Sequence, residues 1–386
     1  MTFLGMSQLE LEQSGGYWTA REIAQQPVIW SQIEQLMARE AVALRAYLDP
    51  LLKRRELRIL LTGAGSSSFV GECLAPALSR KTRLRVDAVS TTDLVISPDS
   101  WFGSTGPVLL VSFARSGNSP ESVAALKLAE SLIPDCHHLL ITCNEDGALC
   151  RSGRTARNVH VVLLPDATND RGFAMTSSFT GMLLATALAF GLLEHGSAAA
   201  LGRSSAHVLG VALPQIARLA RERFERVVYL GSKECKGLAR EAALKMLELS
   251  DGKVVTLADT PLGFRHGPKT IVNGRTLVVL FRCNDPYTRR YEMDLLSELR
   301  ADGVAAAVVT VAAENSPKSS GVEDFSIPGS TTSSDLGLCF PYAVFAQTLA
   351  LMQSLALDVR PDSPNAKGVV NRVVQGVSIY PWTAGQ

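Results

Sequence analysis

The sequence lacks an excess of charge of either sign and lacks paired cysteines. Among its 386 residues, 38 are basic and 37 are acidic, which gives a net charge of +1. The charges are scattered, without a basic stripe or polybasic patch, which argues against nucleic acid or a membrane surface as the main partner. None of the seven cysteines belongs to a CxxC pair, so neither a zinc site nor a disulfide framework is indicated. This cysteine usage favours a reducing compartment, and we expect a cytoplasmic protein.

The features of a secreted or membrane-spanning chain are also missing. Residues 1–10 have neither a basic start nor a long apolar core, so we expect no signal peptide. The longest uncharged run, residues 172–193, contains hydroxyls and glycines and predicts a buried helix instead of a membrane span. At about 100–200 residues per domain, the length predicts two domains. Such a chain can bury large cores without disulfides or metals.

One segment rich in cysteine and histidine raises the alternative of a metal site. Cys136, Cys143 and Cys150 recur every seven residues, and His137 and His138 lie beside the first of them. Because the segment from His138 to Cys143 predicts a strand, these groups should point to two faces and a loop. That distribution does not match the spacing of metal ligands. We therefore predict no metal site.

Short apolar runs alternate with helical segments, which predicts a parallel sheet covered by helices. The apolar runs of the first half are the strand candidates, at Arg58–Thr62, Arg85–Val89, Val108–Phe113, His138–Cys143 and Val159–Leu164. Three of them recur 168 residues later, at Val227–Gly231, Leu277–Phe281 and Ala307–Thr310. The repeat predicts an α/β fold of two doubly wound parallel-sheet domains in tandem. We place an N-terminal helical segment at residues 1–50, the first domain at 51–198 and the second at 199–386.

Two hydroxyl-rich loops follow strands of the first repeat. They are Gly63-Ala-Gly-Ser-Ser-Ser68 and Arg115-Ser-Gly-Asn-Ser-Pro-Glu-Ser122. Glycine admits an anion close to the backbone, serine adds hydrogen bonds, and helix N-termini attract phosphate, so the pair favours a phosphate site. A dinucleotide site is the alternative for the first loop, but its third glycine position is Ser68, and Asp87 lies within the next strand. Each loop alone is also compatible with a simple helix cap. The P-loop pattern is absent.

The second repeat carries ionisable groups instead. Glu241, Lys245 and Glu248 stand at i, i+4 and i+7 and so share one helix face. A solvated stripe with i,i+4 pairing is the alternative interpretation. Downstream, His266 lies in the Gly- and Pro-rich loop Thr260–Pro268, where a surface histidine is the alternative to a proton-transfer group.

Together these motifs resemble the sugar isomerase (SIS) domain, and the chain resembles the double-SIS-domain sugar-phosphate enzymes, which include the isomerase half of glucosamine-6-phosphate synthase. Over nearly its whole length it is most similar to the galactosamine-6-phosphate deaminase/isomerase group, also described as tagatose-6-phosphate ketose/aldose isomerases. The motifs that carry this resemblance are Ser116-Gly-Asn-Ser119, Glu241-x-x-x-Lys245-x-x-Glu248, Asp170–Ser178, Gly263-Phe-Arg-His-Gly-Pro-Lys269, Pro286-Tyr-Thr-Arg289 and Asn371–Gly376.

The resemblance implies roles for individual residues. The sugar phosphate would be held by Ser66, Ser67, Arg115, Ser116 and Ser119. Glu248 would move a proton between C1 and C2, while Glu241 and Lys245 orient the substrate. His266 would open the sugar ring, reaching in from the neighbouring subunit of a homodimer. Lys367 is the candidate counterpart of a C-terminal lysine of the synthase. No metal or organic cofactor is implied.

Two departures from the synthase concern, in turn, the site and the expected direction of the reaction. Leu247 stands where the synthase has a second lysine. We expect no preceding glutaminase domain, so that ammonia is not taken from glutamine. We therefore expect release of ammonia from an amino sugar phosphate, galactosamine 6-phosphate, to give tagatose 6-phosphate. The alternatives are a plain aldose–ketose phosphate isomerase, a glucosamine-6-phosphate deaminase and a non-catalytic sugar-phosphate sensor. The preference for the galacto epimer rests on the resemblance alone.

Overall fold

The computed structural model describes residues 1–103, 106–154, 158–313, 324–330, 333–365, 367–374 and 376–383. Its strands are β1 (Thr2–Phe3), β2 (Met6–Ser7), β3 (Arg58–Gly63), β4 (Arg85–Ser90), β5 (Val108–Ala114), β6 (Cys136–Thr142), β7 (Val159–Leu163), β8 (Arg226–Gly231), β9 (Val255–Asp259), β10 (Thr276–Phe281), β11 (Ala307–Ala313) and β12 (Asp324–Ile327). Its α-helices are α1 (Gln8–Ser14), α2 (Tyr17–Leu52), α3 (Ser66–Thr82), α4 (Thr91–Ile96), α5 (Pro98–Phe102), α6 (Pro120–Leu132), α7 (Ala148–Gly153), α8 (Ser177–Ala189), α9 (Ser197–Leu209), α10 (Leu213–Ala220), α11 (Glu234–Leu249), α12 (Pro261–Phe264), α13 (Pro286–Asp302) and α14 (Asp335–Ala356).

The chain divides into two compact units. The first-repeat unit consists of Ser31–Asn169, Ser177–His195 and Lys367–Gln386. The second-repeat unit consists of Met1–Trp30, Asp170–Thr176 and Gly196–Ala366. Each unit therefore draws on segments that are distant in sequence, and the long helix α2 contributes residues to both.

Each unit contains one five-stranded parallel sheet with the same strand order. The order is β4-β3-β5-β6-β7 in the first-repeat unit and β9-β8-β10-β11-β12 in the second-repeat unit. The central strands are buried on both faces, as continuous apolar sequences require in a sheet covered by helices. The prediction of two doubly wound parallel-sheet domains is confirmed.

The register corrects one detail of the repeat. Arg58 pairs with Val108 and Arg226 pairs with Thr276, so the first two strands keep the predicted offset of 168 residues. In the third strand, Leu109 pairs with His137 whereas Leu277 pairs with Ala307, so the offset there is 170. An even shift preserves the alternation of side chains between faces, so the additional two residues leave the apolar pattern intact.

Two apolar helices lie in the cores. The uncharged run at 172–193 forms the helix Ser177–Ala189, buried in the first-repeat unit as predicted. The helix Asp335–Ala356 packs on α9, α10 and α11 in the second-repeat unit. In the described part of the chain it is the one helix whose length and composition would suffice to cross a bilayer, and 94% of its apolar window is buried inside the protein.

The cysteine- and histidine-rich segment is spread over several elements. Cys136 and His138 lie on one face of β6, with Sγ and Nε2 3.4 Å apart, and His137 on the other face pairs with Asp135 at 2.9 Å. Burial raises the pKa of the Cys136 thiol to about 12 and lowers that of His138 to about 4, so both are neutral near pH 7. Within the described residues, no group of three metal-ligating side chains comes together.

Candidate active site

The first hydroxyl-rich loop connects β3 to the buried start of α3. A side chain at Gly63 would place its Cβ 2.5 Å from the Cβ of Ser67, so that position requires glycine, and Gly65 adopts φ +56°, which favours glycine. Ser66, Ser67 and the following serine occupy the first turn of the 17-residue helix and are at most 8% exposed. The loop thus presents hydroxyls at the positive end of a helix dipole, where an anion is stabilised.

The second loop, Arg115–Ser119, follows β5, the strand next to β3. Asn144 donates from Nδ2 to the carbonyl of Ser116 at 2.8 Å, which ties the loop to the residues after β6. Ser119 lies immediately before α6 and donates to the Ser122 hydroxyl at 2.6 Å. Since parallel strands end at one edge of the sheet, both loops lie at the carboxyl edge of the first sheet.

Arg115 has a partner that the sequence did not reveal. The residue is 7% exposed, and its Nη2 donates to the carbonyl of Arg372 at 2.7 Å. This contact links the second loop to the C-terminal motif that begins at Asn371. Within that motif, Gln375 lies outside the described residues. Lys367, in the same C-terminal segment, is exposed.

Glu241, Lys245 and Glu248 form a row on helix α11, as predicted. Lys245 Nζ lies 3.7 Å from Glu241 Oε1 and also hydrogen-bonds Glu248 Oε2. The side chains of Glu241 and Lys245 are 2% and 1% exposed, whereas that of Glu248 is 26% exposed. The interpretation as a solvated stripe is therefore wrong. The row is a buried ion pair that ends in one accessible carboxylate.

His266 follows the short helix α12 in a loop that is fixed on both sides. Arg265 pairs with Glu298 at 2.7 Å, and Lys269 also pairs with Glu298, which lies on α13. The side chain of His266 itself is exposed, and the next residue, Gly267, adopts φ +118°. The loop is anchored to the second-repeat unit while its histidine points to solvent.

Comparisons with known proteins agree with this architecture. The SIS domain family matches residues 51–192. The chain is 45% identical over 384 residues to the D-galactosamine-6-phosphate deaminase AgaS of Escherichia coli O157:H7, covering 96% of this chain and 97% of that protein. It is 42% identical over 381 residues to the D-galactosamine-6-phosphate deaminase AgaS of Shewanella sp. strain ANA-3, covering 98% and 95%. The crystal structure of tagatose-6-phosphate ketose/aldose isomerase from Escherichia coli superimposes with a TM-score of 0.88 at 42% identity, covering 96% and 98%.

The chain belongs to the AgaS family. Because the similarity spans both units, it covers the two hydroxyl-rich loops, the Glu/Lys helix and the His266 loop. The motif Asp170–Ser178, which carries part of the family resemblance but no predicted chemistry, has a structural role. Asp170 accepts hydrogen bonds from the backbone N–H of Thr176 at 2.8 Å and from its hydroxyl at 3.0 Å. The carboxylate of Glu22 accepts from the N–H groups of Arg171 and Gly172.

Sequence reasoning missed several groups around the AgaS-family loops. Ser90 ends β4, next to β3, and its hydroxyl donates to the carbonyl of Gly63 at 3.3 Å and lies 2.6 Å from that of Thr92. Asn144 supports the second loop. Ser90 and Asn144 lie at or just beyond the ends of strands of the first sheet, so a search of every strand end for polar residues could have found them.

Proposed function

We propose that this chain converts galactosamine 6-phosphate and water to tagatose 6-phosphate and ammonia. The observation that carries the proposal is the buried Glu241–Lys245 pair that ends in the accessible Glu248, in a chain similar over nearly its full length to galactosamine-6-phosphate deaminases. A carboxylate at one end of a fixed row suits repeated proton transfer, because its position is set and its own atoms stay in contact with solvent or substrate.

The proposed chemistry begins with opening of the sugar ring. His266 exchanges a proton between the ring oxygen and O1, which suits an imidazole near neutral pH. Glu248 then removes the proton from C2 of the open aldose, which gives an enolamine. Return of a proton to C1 forms a ketose imine. Water adds to the imine carbon, and the C–N bond breaks to release ammonia and the ketose phosphate.

We assign the phosphate to the hydroxyl-rich loops, through Ser66, Ser67, Arg115, Ser116 and Ser119. The supporting observations are the glycine-dependent turn at Gly63 and the helix start that follows each loop. Binding energy from a non-reacting phosphate fixes the sugar for proton transfer, so its loss should lower kcat as well as raise KM. Glu241 and Lys245 orient the substrate and Glu248, and Lys367 is a further candidate for substrate contact.

Ammonia release tests the proposal directly. The assay supplies galactosamine 6-phosphate and glucosamine 6-phosphate in parallel. Glu248→Gln should abolish release, and Glu222→Gln, which changes an exposed glutamate of the same unit, is the matched control and should retain it. Release from the galacto epimer alone supports the proposal. Release from the gluco epimer alone, or activity unaffected by Glu248→Gln, contradicts it.

A plain aldose–ketose isomerase is the second candidate, because the structurally similar Escherichia coli protein is named a tagatose-6-phosphate ketose/aldose isomerase. It would use the same proton transfer on a substrate without an amine. Interconversion of tagatose 6-phosphate with its aldose, without ammonia release from either amino sugar, would favour it. Binding of these phosphates without any turnover would favour a sensor.

We further propose that the protein is a cytoplasmic homodimer in which His266 acts on the neighbouring subunit. All seven cysteines are buried and none is assigned to a disulfide, as is usual in a reducing compartment, and the His266 side chain faces solvent. Mixed dimers of Glu248→Gln and His266→Asn chains test the exchange. If His266 acts across the interface, each mixed dimer contains one complete site and regains activity. If it acts within its own chain, the mixed dimers stay inactive.

A further inference from the structure

The turn that begins the first phosphate loop recurs in the second-repeat unit. Gly231 ends β8 as Gly63 ends β3, and a Cβ at Gly231 would lie 2.2 Å from the carbonyl oxygen of Cys235. Lys233 adopts φ +52° and ψ −123°, close to the φ +56° and ψ −129° of Gly65. An L-residue with positive φ carries strain of roughly 1–3 kcal/mol and persists only where its surroundings enforce it. The second repeat has therefore kept the turn while placing a lysine in it.

An internal carboxylate binds the lysine of this turn and the residues that follow the neighbouring strand. Asp335 Oδ2 accepts from Lys233 Nζ at 2.7 Å, and Asp335 Oδ1 accepts from the backbone N–H of Asn284 at 2.7 Å and of Asp285 at 3.4 Å. The residues from Arg282 to Asp285 follow β10, the neighbour of β8, just as the loop Arg115–Ser119 follows β5. We call Lys233 and the two N–H groups the second cradle. Its donors bind two oxygens of one carboxylate, as they would bind two oxygens of a phosphate.

The charges around the second cradle fit an anion at that position. Besides Lys233, which precedes α11, there are two arginines: Arg282 follows β10, and Arg289 lies on α13. Arg289 donates to the carbonyls of Cys283 and Asn284 at 3.2 Å and 3.1 Å. The acidic neighbours are Asp285, whose Oδ2 is 3.9 Å from Lys233 Nζ, and the buried Glu234 and Glu292. Burial raises the pKa of Glu292 and lowers that of Arg282. The geometric support for an anion at this position is therefore the set of three contacts to the Asp335 carboxylate.

We propose that the second repeat retains an oxyanion-binding cradle and that the Asp335 carboxylate occupies it in place of a phosphate. The chain then binds one phosphate through its first repeat, while the second cradle is closed from within. The analogy between the two repeats rests on the proposed assignment of phosphate to the first loops. The contacts of Asp335 do not depend on that assignment. Removal of the carboxylate opens the second cradle to an inorganic oxyanion.

Equilibrium dialysis of the full-length protein with labelled inorganic phosphate tests the inference. Asp335→Ser removes the carboxylate and leaves room, whereas the matched control Asp335→Asn keeps the shape and fills the cradle. Asp335→Ser should bind one more phosphate per chain than Asp335→Asn. The affinity of Asp335→Ser for this extra phosphate should be at least tenfold higher than that of Asp335→Asn for any additional phosphate. Adding Lys233→Met to Asp335→Ser should remove that phosphate. Equal binding by the Ser and Asn variants, or a second phosphate that survives Lys233→Met, overturns the inference.

The design separates this inference from the proposed function. If the first loops do not bind phosphate, wild type binds none, yet the difference between the Ser and Asn variants remains. Ser119→Ala should weaken the first phosphate without affecting that difference. If Asp335→Ser is too unstable for dialysis, its melting temperature with and without phosphate tests the inference instead. Recovery of the fold in phosphate, specific to the Ser variant, supports the inference, and failure to fold in phosphate while Asp335→Asn folds overturns it.

Discussion

Replacement of Lys245 by methionine should destabilise the protein through Glu241 more than through Glu248. Methionine keeps the unbranched shape of the side chain and removes the ammonium group, with its charge and its hydrogen-bond donors. With its side chain 2% exposed, Glu241 cannot be hydrated once its lysine is gone, whereas Glu248 at 26% can. Removing one partner of a buried ion pair typically costs about 3–5 kcal/mol, and an exposed pair contributes about 0–1 kcal/mol. We expect Lys245→Met to lower the free energy of unfolding by about 3–4 kcal/mol.

Thermal unfolding measures this loss. An unfolding entropy of roughly 2.1 cal/mol/K per residue gives about 0.8 kcal/mol/K for a cooperative unit of this length, so the expected loss lowers Tm by about 4–5 °C. The effect should depend on pH. Without Lys245, burial favours the protonated form of Glu241 in the folded chain, so the loss is smaller at pH 5 than at pH 8.

The double variant Glu241→Gln/Lys245→Met is the decisive control. A neutral amide needs no counter-ion, so the double variant should regain most of the stability that Lys245→Met loses. The reasoning is refuted if Lys245→Met costs less than about 1 kcal/mol, if Glu241→Gln restores nothing, or if the loss is the same at pH 5 and pH 8. Any of these results would mean that the Glu241–Lys245 contact is not a buried ion pair.

Three further predictions concern other parts of the molecule. Glu248→Gln should lower kcat for ammonia release by about 10²–10⁴-fold with Tm and KM near wild type, and a normal kcat would remove Glu248 from proton transfer. In urea unfolding, Lys233→Gly should have a free energy of unfolding about 1–2 kcal/mol higher than Lys233→Met. Both variants lose the contact with Asp335, but only glycine relieves the strain of the positive φ. The reverse order of stability would contradict that strain. Burial and the charge of Asp170 raise the pKa of Glu22 to about 8, so the folded chain keeps a proton that the unfolded chain loses, and stability should fall as pH rises from about 4.5 to 8. Tm measured from pH 5 to pH 9 should fall less in Glu22→Gln, and parallel profiles would assign the pH dependence to other groups.

The sheets could be predicted from sequence because their strands are buried on both faces. Such strands appear as apolar runs bounded by polar residues, and the runs at Arg58–Thr62 and Leu277–Phe281 end within one residue of the observed strands. The offset of the third strand could not be predicted. Sliding an apolar run by two residues returns each side chain to the same face, so the sequence pattern is equally satisfied at 168 and 170.

The site was predictable in its residue types and less so in its environment. The spacing of Glu241, Lys245 and Glu248 fixes a common helix face, but it is the same for a buried row and a solvated one. What buries this helix is α14, which begins 86 residues after α11 ends and packs against it. The contact of Arg115 with Arg372 has the same origin, since the two residues are 257 positions apart. Local patterns identify groups that can react, whereas distant segments decide which of them solvent reaches.

The two repeats differ in chemistry because their shared backbone constrains so little of it. Gly65 and Lys233 have nearly the same φ and ψ, yet glycine leaves the turn open while lysine brings a cation that captures Asp335. A phosphate site needs a rigid turn, hydrogen-bond donors and empty space. In our proposal, the second repeat keeps the turn and the donors, and its own Asp335 carboxylate fills the space. With that cradle closed from within, α11 presents Glu248 as its accessible charged group in the Glu241–Lys245–Glu248 row. In our proposal, one duplicated turn supports an open anion site in one repeat. In the other repeat, by self-occupation, it supports a fixed start for the helix that carries Glu248, the proposed proton-transfer carboxylate.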